Sequence, residues 1–591
     1  MSTPTASSPK AYNIYLLVIA GLGGLLYGID VGIIAGALPY LEATSGYSDG
    51  QLSSVVAAVL AGSVLSSLFA GLLSDLFGRK TIMLVSAFLF IASIPVICLS
   101  DSFAMLVAGR LLQGVSAGLI GVVIPLYLAE CLGANSRGKG TGMFQFLLTV
   151  GLVAAAFIGL YFAKHVEAIE SIVNVTKDTI FAAKNSAWRS IFWVSVIPGL
   201  VFFLGAFFVS ESPRWLFRKG RKEAARAALA RANGQEEGDA ILAEMERNST
   251  KKEDKSDAAA SSGSLLQRKY VIPFILAIVI LACTQATGIN SVLAYSVKIF
   301  QQAGLTGAFG NYGDVLLKIV NCLMTVVAVV LVDKKGRKFL LKMGTSGIIF
   351  GLICAALLFK GIESKRTDVT EKVQIDSIFK VSEGRYVADL RDDATLQSLG
   401  LTKDSPEMQF IVTYKLGENG GTELTNSKTQ TREQEVDGKT VIKTIDPIIA
   451  IDLPKIKDGD AKPVLEVLKA EIGPMPSKTT GWFVAVSFII FIAAYASGPG
   501  VCVWLALSEL MPTRIRSNGM SIALLINQGV STTIAAIFLP TVGSFGYSTM
   551  FFFWAGCTVV YFITAAFFLP ETKGRTLEEI EEHFEGKKKL S

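Results

Sequence analysis

The stretch LLYGIDVGIIAGAL, residues 25–38, is apolar and rich in glycine, yet it carries one acid, Asp30. The 591-residue chain is 51% hydrophobic with a mean hydropathy of +0.50, which is too apolar for a soluble protein of two or three domains. We therefore expect a polytopic membrane protein. An ionised carboxylate near the bilayer centre costs about 2.5–3.5 kcal/mol, so such a residue is normally paired and functional.

Apolar runs of bilayer-spanning length, about 20 residues, recur along the whole chain. They predict an all-α fold of twelve transmembrane helices in two six-helix halves. The predicted spans lie near residues 12–36, 51–73, 81–100, 103–128, 141–162, 188–209, 271–300, 314–332, 339–359, 481–507, 517–540 and 548–569.

The residues that carry metal or cofactor chemistry form no recognisable pattern. The seven cysteines lie in or beside the predicted spans without CxxC or metal-ligand spacing. Both histidines, His165 and His583, fall outside the predicted core of the bundle. We expect no catalytic site, no metal, no cofactor and no nucleic-acid partner.

Charge is distributed unevenly between the loops. Several short loops are basic, which places them in the cytoplasm together with both termini. Residues 361–480 instead carry 17 Lys or Arg and 21 Asp or Glu, a net charge of −4. We expect this segment to lie outside the membrane on the opposite face.

Two motifs recur in the second half of the chain at unequal distances. They are DLFGRK (75–80) with DKKGRK (333–338), and the pair Glu130 and Arg137 with the pair Glu509 and Arg516. The first repeat is 258 residues apart and the second 379, so roughly 121 residues are inserted in the second half. The predicted segments are an N-terminal bundle (1–210, with an outer loop at 163–187), a cytoplasmic helical linker (211–269), helices 7–9 (270–360), an extracytoplasmic insert (361–480), helices 10–12 (481–569) and a cytoplasmic tail (570–591).

Duplicated halves suit a transporter in which two rigid bundles rock about a site at mid-membrane. Repeated acids and arginines at the inner ends then predict latches that pair across the interface between the halves when the inner side closes, and that rehydrate when it opens. The alternative is that they are topology signals with ordinary surface pairing. The candidate latch residues are Asp75, Arg79, Glu130, Arg137, Glu211, Arg214, Asp333, Arg337, Glu509 and Arg516.

A series of motifs in fixed order resembles the sugar porters of the major facilitator superfamily. The motifs are Asp75, Gly78 and Arg79 in DLFGRK, GRLLQG (109–114), PLYLAE (125–130) with Arg137, ESPRWL (211–216), GIN (288–290), DKKGRK (333–338), GPGVCVWLALSEL (498–510) and PETKGRTLEEI (570–580). The resemblance extends over nearly the whole chain except residues 163–187 and 361–480.

The resemblance gives Asp30 a partner and a role. In proton-coupled members, an aspartate at this position pairs with the arginine of the GR motif, here Arg110. Burial favours the neutral acid and Arg110 favours the anion, so a rearrangement that alters either contribution moves the proton. A structural ion pair without proton traffic is the alternative.

The resemblance also implies a sugar site of neutral amides with an apolar or aromatic wall. It assigns substrate contacts to Gln145, Gln285, Asn290, Asn321 and Trp504, an outer gate to Tyr295, and a place beside the site to Tyr27. The chain departs from the common pattern at Thr284, and at Asn527 followed by Gln528. These departures leave a hexose, a pentose and a polyol open.

The insert at 361–480 is expected to be a small β-rich domain. EMQFIVTYKL (407–416) and KTVIKTIDPIIAIDL (439–453) predict strands, whereas PVLEVLKAEIG (463–473) predicts a short helix. The insert shows no catalytic cluster, which favours a cap or a module for an unidentified partner over an enzyme.

The sequence as a whole predicts a symporter that imports a sugar with a proton. A passive sugar or polyol facilitator, a proton-coupled inositol transporter and a sugar sensor are the alternatives. We expect the protein to contact membrane lipid and to lie in a plasma membrane. A bacterial inner membrane is preferred because the loops are short.

Overall fold

A computed structural model of the chain describes residues 9–132, 134–172, 175–256, 268–373, 378–382, 385–416, 419–436, 439–452, 464–511, 516–572 and 577–585. Within these residues, twelve helical segments are long and apolar enough to cross a membrane. The predicted all-α membrane architecture is therefore confirmed. The segments are Lys10–Ser45, Asp49–Phe77, Arg79–Cys98, Phe103–Leu128, Gly142–Glu170, Lys177–Ala206, Tyr270–Gln302, Phe309–Val332, Arg337–Glu363, Lys478–Val503, Ile522–Phe545 and Tyr547–Phe568.

The helices fall into an N-terminal half, a linker and a C-terminal half. The N-terminal half contains α1 (Pro9–Ser45), α2 (Asp49–Phe77), α3 (Arg79–Cys98), α4 (Phe103–Cys131), α5 (Ala134–Glu170), α6 (Lys177–Val194) and α7 (Val196–Ala206). The linker contains α8 (Pro213–Arg218), α9 (Lys222–Asn233) and α10 (Gln235–Ser256). The C-terminal half contains α11 (Arg268–Ala286), α12 (Ile289–Gln302), α13 (Phe309–Lys335), α14 (Arg337–Glu363), α15 (Asp393–Ser398, in the insert), α16 (Lys478–Ser497), α17 (Pro499–Leu510), α18 (Arg516–Phe545), α19 (Tyr547–Ile563, continued by a π turn at Thr564–Phe568) and α20 (Leu577–Glu585).

We call the end of the bundle that carries the insert the outer end, and the opposite end the inner end. The predicted outer loop at 163–187 is largely helical, which corrects that expectation. Helix α5 runs to Glu170 and α6 begins at Lys177. The reason is local: Val166 and Trp188 are buried against the bundle, and the Thr176 side chain caps α6.

Glycines between residues 24 and 36 determine how α1 packs, because they form one stripe along the helix that lies directly against α5. A Cβ atom added at Gly28 would lie 1.9 Å from the carbonyl oxygen of Leu148, and one at Gly151 would lie 2.2 Å from that of Leu25. Small residues allow such close backbone contact between membrane helices, where lipid supplies no hydrophobic drive for association. The stripe consists of Gly24, Gly28, Gly32 and Gly36.

The described residues of the insert form nine short strands, and the insert has its own apolar core. Its strands are β1 (Thr367–Asp368), β2 (Lys380–Ser382), β3 (Arg385–Asp389), β4 (Met408–Leu416), β5 (Asn419–Asn426), β6 (Gln430–Val436), β7 (Lys439–Ile445), β8 (Ile448–Asp452) and β9 (Leu465–Pro474). Three antiparallel sheets have the orders β1-β9-β4-β5, β2-β3-β8 and β6-β7. The core includes Phe410, Val412 and Ile451.

Two of the expectations for the insert hold and one is wrong. The strands predicted in 407–416 and 439–453 are present as β4, β7 and β8. The helix predicted at 463–473 is instead β9. This segment pairs with β1 on one side and β4 on the other, and these tertiary contacts outweigh the helix propensity of its leucine, glutamate and lysine residues.

The inner end carries short helices outside the predicted spans. In the linker, Arg226 of α9 donates two hydrogen bonds to Asp239 of α10, at 2.6 and 2.8 Å. These bonds hold the pKa of Asp239 below its usual value. At the other end of the chain, α20 packs Ile580 and Phe584 into the core of the C-terminal half. Each half is therefore buttressed at its inner end by a helix that does not cross the membrane.

We expect Gly28→Ala to destabilise the protein, because the new methyl group would displace the backbone of α5. Overpacking of this kind costs about 1–3 kcal/mol. Gly71→Ala is the matched control, since nothing lies within 4 Å of a Cβ atom at Gly71 of α2. The midpoint of thermal unfolding in detergent should fall for Gly28→Ala alone, and equal midpoints would contradict the close contact between α1 and α5.

Candidate functional site

Asp30 and Arg110 lie beside each other in the interior of the N-terminal half. Arg110 of α4 is 3.7 Å from the Asp30 carboxylate, and both side chains are almost completely buried. The guanidinium donates a 2.6 Å hydrogen bond to Gln113 and a long one, 3.5 Å, to the carbonyl of Val55, and it lies over the ring of Phe192. Neither oxygen of Asp30 has a hydrogen-bond partner among the described residues. The carboxylate is thus held by charge and burial rather than by directed hydrogen bonds.

A break in the seventh span presents polar side chains at the centre of the C-terminal half. Helix α11 ends at Ala286 and α12 begins at Ile289, with Gly288 between them in the left-handed region at φ +81°. The ring of Trp554 fills the space beside Gly288, where an added Cβ atom would lie only 2.3 Å away. The chain turns here because glycine adopts this conformation without steric cost.

Amides on both sides of this break form a connected cluster. Asn290 donates to Gln285 at 3.0 Å and to Ser531 at 2.7 Å. Gln285 in turn donates to Asn527 at 3.2 Å, and Asn527 is anchored to the carbonyl of Leu281 at 2.9 Å. Gln285 and Asn290 remain partly exposed. They can exchange these bonds for bonds to a hydroxylated ligand, because amides both donate and accept.

The structure places the other sequence-predicted binding residues in different surroundings. Thr284 faces the core, where its hydroxyl bonds to the carbonyl of Ile280 and to Tyr561. Gln145 is partly buried on α5, and Asn321 is 7% exposed on α13. The side chain of Trp504 lies outside the described residues.

Tyr27 connects the two halves at the centre of the bundle. It lies on α1, three residues before Asp30, with Gln528 of α18 and Ser63 of α2 beside its hydroxyl. Gln528 neighbours Asn527 of the amide cluster. One tyrosine of the N-terminal half therefore lies near Asp30 and beside Gln528 of the C-terminal half.

The two halves are joined at the outer end by charged and aromatic contacts. Lys298 of α12 reaches across the interface to Glu42 of α1 at 2.7 Å and to Asp49 of α2 at 3.6 Å. Tyr295, one turn closer to the centre, lies 3.4 Å from the hydroxyl of Ser53 and is fully buried. We call Lys298, Glu42, Asp49, Tyr295 and Ser53 the outer gate. The structure is closed at this end.

The described acids and arginines at the inner end of the N-terminal half pair within that half. Their contact across the interface, expected when the inner side closes, stays a prediction. Arg79 binds Asp75 and Glu130, each at 2.8 Å. Glu211 accepts from the backbone N–H of Arg79 at 2.9 Å, beside Gly78 at φ +97°. The physical reason is that Glu211 follows span 6 directly and caps the start of α3 in its own half.

The same arrangement recurs in the C-terminal half, where Glu571 accepts from the backbone N–H groups of Arg337 and Lys338, both at 3.1 Å. This recurrence agrees with the internal repeat seen in the sequence. Arg214 is exposed at the inner end. The side chains of Arg137, Asp333, Glu509 and Arg516 lie outside the described residues.

Sequence reasoning missed a second set of buried charges. Lys318 of α13 is fully buried, 2.8 Å from Asp314 one turn earlier, and it also donates to the carbonyl of Gly32 on α1 at 3.1 Å. Asp314 accepts from Ser296 of α12 at 2.5 Å. The sequence offered one sign of this pair, since Lys318 follows Asp314 by four residues inside an apolar run. Charges inside a membrane are normally paired and functional.

Two helical halves around a polar centre, with a closed outer end, define a membrane transporter of the major facilitator type. The family model described as "Sugar (and other) transporter" matches residues 16–379 and 465–584. The chain therefore belongs to this family of transporters. The residues that the match leaves out all lie in the insert or close to the two termini.

Named relatives and solved structures agree with this assignment. The chain is 26% identical to the glucose transporter GlcP of Staphylococcus epidermidis, over 97% of each protein. It is 27% identical to the proton myo-inositol cotransporter of Homo sapiens, over 98% of this chain and 82% of the relative. Its fold matches the partially occluded inward open conformation of the xylose transporter XylE from E. coli with a TM-score of 0.64, at 19% identity, over 96% of this chain and 100% of the other.

We expect Lys298→Gln to populate an open outer end, because it removes the charge that joins α12 to α1 and α2. Loss of one partner of a buried pair costs up to about 3–5 kcal/mol. Spin labels at Ala104→Cys and Ser364→Cys, after replacement of the native cysteines, report the distance between the outer ends of the two halves. Longer distances should appear in Lys298→Gln and be absent in the control Lys360→Gln, an exposed lysine at the same end. An unchanged distance distribution would contradict the role of Lys298 in the gate.

Proposed function

We propose that the protein imports a sugar together with a proton by alternating access. The observation that carries this proposal is Asp30, a buried carboxylate whose described surroundings offer one cation at 3.7 Å and no hydrogen bond. A carboxylate that accepts several hydrogen bonds is fixed as an anion, whereas one held mainly by a single charge changes protonation when that charge moves.

Arg110 supplies the movable charge. When Asp30 takes up a proton, the guanidinium keeps its contacts with Gln113 and Phe192, so it is not left without partners. The loaded carrier then moves one more positive charge through the membrane than the empty carrier. A membrane potential of 100 mV favours this inward movement by about 2.3 kcal/mol per charge.

The substrate site of this proposal is the amide cluster around the break at Gly288. Gln285, Asn290 and Gln528 are partly exposed and offer both donors and acceptors to vicinal hydroxyl groups. Tyr27 lies beside Gln528 and three residues before Asp30 on α1. Substrate binding at Gln528 therefore acts on the helix that carries the proton site.

The names of relatives support a sugar as substrate. The galactose-proton symporter of Escherichia coli is 24% identical over 99% of this chain, and the arabinose-proton symporter of Bacillus subtilis is 24% identical over 98%. A hexose or a pentose is accordingly the proposed substrate class. A polyol is the second candidate, because a proton myo-inositol cotransporter is equally similar.

The proposed orientation places both termini and the linker in the cytoplasm and the insert outside a plasma membrane. It is supported by the basic short loops and by the net charge of −4 in residues 361–480. In this orientation the closed outer gate makes the structure an inward-facing one. In the outward-facing state, we propose that acids and arginines of the repeated inner motifs meet across the halves.

The test is uptake of labelled hexoses, pentoses and inositols into proteoliposomes, with and without an inward proton gradient. An inward gradient of one pH unit supports about tenfold accumulation if one proton accompanies each sugar, since one unit is worth 1.36 kcal/mol. We expect Asp30→Asn to abolish accumulation and to leave sugar exchange intact, because the amide is neutral in every state.

The control for this experiment is Asp404→Asn, which changes an exposed acid of the insert in the same chemical way. It should accumulate sugar like the native chain. Sugar uptake that only reaches equal concentrations on both sides, and that changes neither with the proton gradient nor with Asp30→Asn, would contradict proton coupling. It would instead indicate a facilitator, in which Asp30 and Arg110 form a structural pair.

A further inference from the structure

The insert is rigidly joined to the C-terminal half. Only three residues separate the end of α14 at Glu363 from β1, and three separate β9 from α16. Strands β1 and β9 pair with each other, and Arg366 between α14 and β1 lies 3.7 Å from Glu471 of β9. Glu363 accepts from the backbone N–H of Tyr547 at 2.7 Å, which anchors the base of the insert on α19. The insert must therefore move with this half.

The insert also contacts the N-terminal half. Thr422 of β5 donates a 3.3 Å hydrogen bond from its hydroxyl to Asp49 at the start of α2. Its orientation is set within the sheet, because Thr413 lies directly opposite on β4 with the two hydroxyls 3.1 Å apart. This contact joins the insert to the N-terminal half, although the insert moves with the C-terminal half.

Asp49 is the residue that the insert and the outer gate share. One oxygen accepts from Thr422 and the other lies 3.6 Å from Lys298. The side chain is only 16% exposed. A carboxylate with a second partner is held more firmly in place for Lys298, since hydrogen bonds to a charged group are the stronger ones.

The space around this contact is lined by residues of the N-terminal half, the C-terminal half and the insert. A cleft of about 1030 Å³ is lined by Ser48 to Gly50 of the N-terminal half, Pro540 and Gly543 of α18, and residues of the insert. Such a cleft changes shape whenever the halves separate. The insert thus lies over the gate across this cleft and contacts it where Thr422 hydrogen-bonds to Asp49.

We infer that the insert is a working part of the outer gate, and that Thr422 is a positioning residue that holds Asp49 in the closed state. Opening of the outer end must separate Thr422 from Asp49 together with Lys298 from Asp49. The insert therefore shifts the equilibrium toward the outward-closed form. This inference rests on alternating access but not on proton coupling or on the identity of the sugar.

The first test compares Thr422→Val with the native chain by the spin-label distance between positions 104 and 364. Valine keeps the shape of threonine and removes the hydroxyl. The hydrogen bond from Thr422 to Asp49 is long, at 3.3 Å, and Thr422 is partly exposed, so we assign the bond ordinary strength. Its loss should raise the ratio of outward-open to outward-closed protein about two- to tenfold. Thr402→Val, at an exposed position of the insert, is the control and should leave the ratio unchanged.

Transport kinetics distinguish a role of Thr422 in gating from a purely structural role, because only a role in gating changes the two KM values in opposite directions. With more outward-open protein, the KM for external sugar should fall for Thr422→Val and the KM for internal sugar should rise. A general loss of stability would instead lower the maximum rate from both sides. Equal distance distributions and equal KM values for Thr422→Val and the native chain would overturn the inference.

A crosslink tests the same contact by replacing the hydrogen bond with a covalent bond that cannot open. In a background free of native cysteines, Asp49→Cys with Thr422→Cys should form a disulfide that stops sugar exchange, and a reductant should restore it. Val387→Cys with Ala450→Cys, which lie opposite each other on β3 and β8 within the insert, is the control and should crosslink without any effect on exchange. Exchange that continues through the crosslinked 49–422 pair would show that the insert need not leave the gate. Failure of proton-driven accumulation in the native chain would leave these results intact, so the two proposals fail separately.

Discussion

A charge inside a bilayer must find a partner, and the architecture of this transporter follows from how its few interior charges are paired. Asp30 meets Arg110 within the N-terminal half, and Lys318 meets Asp314 within the C-terminal half. Lys298 instead meets Glu42 across the two halves. The pair of Lys298 and Glu42 must break when the halves rock, because its two partners lie in different halves, so it marks the surface along which the protein opens.

Helix α1 is where these pairs converge. Its glycine stripe lies on α5, its Asp30 faces Arg110, and its Gly32 carbonyl accepts from Lys318. Tyr27 extends the same helix to the amides around Gln528. A helix that touches the proposed proton site, the proposed substrate site and the opposite half is well placed to couple them, because any displacement of α1 alters all three contacts together.

The sequence predicted the parts of this fold that rest on local pattern. Hydropathy predicted the twelve spans, and alternation of apolar and polar residues predicted strands β4 and β8. The resemblance to sugar porters singled out Asp30 and Arg110, which lie 3.7 Å apart in the structure. It failed where tertiary contact decides. Strand β9 has the composition of a helix, yet it pairs with β1 and β4. Lys298 carries no local sign that its partners lie about 250 residues away.

The central claim is that sugar and proton cross together, and sugar-driven proton movement tests it most directly. Addition of the transported sugar outside de-energised proteoliposomes, with no pH difference imposed, should make the external medium transiently alkaline as protons enter with the sugar. The change should vanish when Asp30 is replaced by Asn. Sugar entry without any change in external pH would contradict the account.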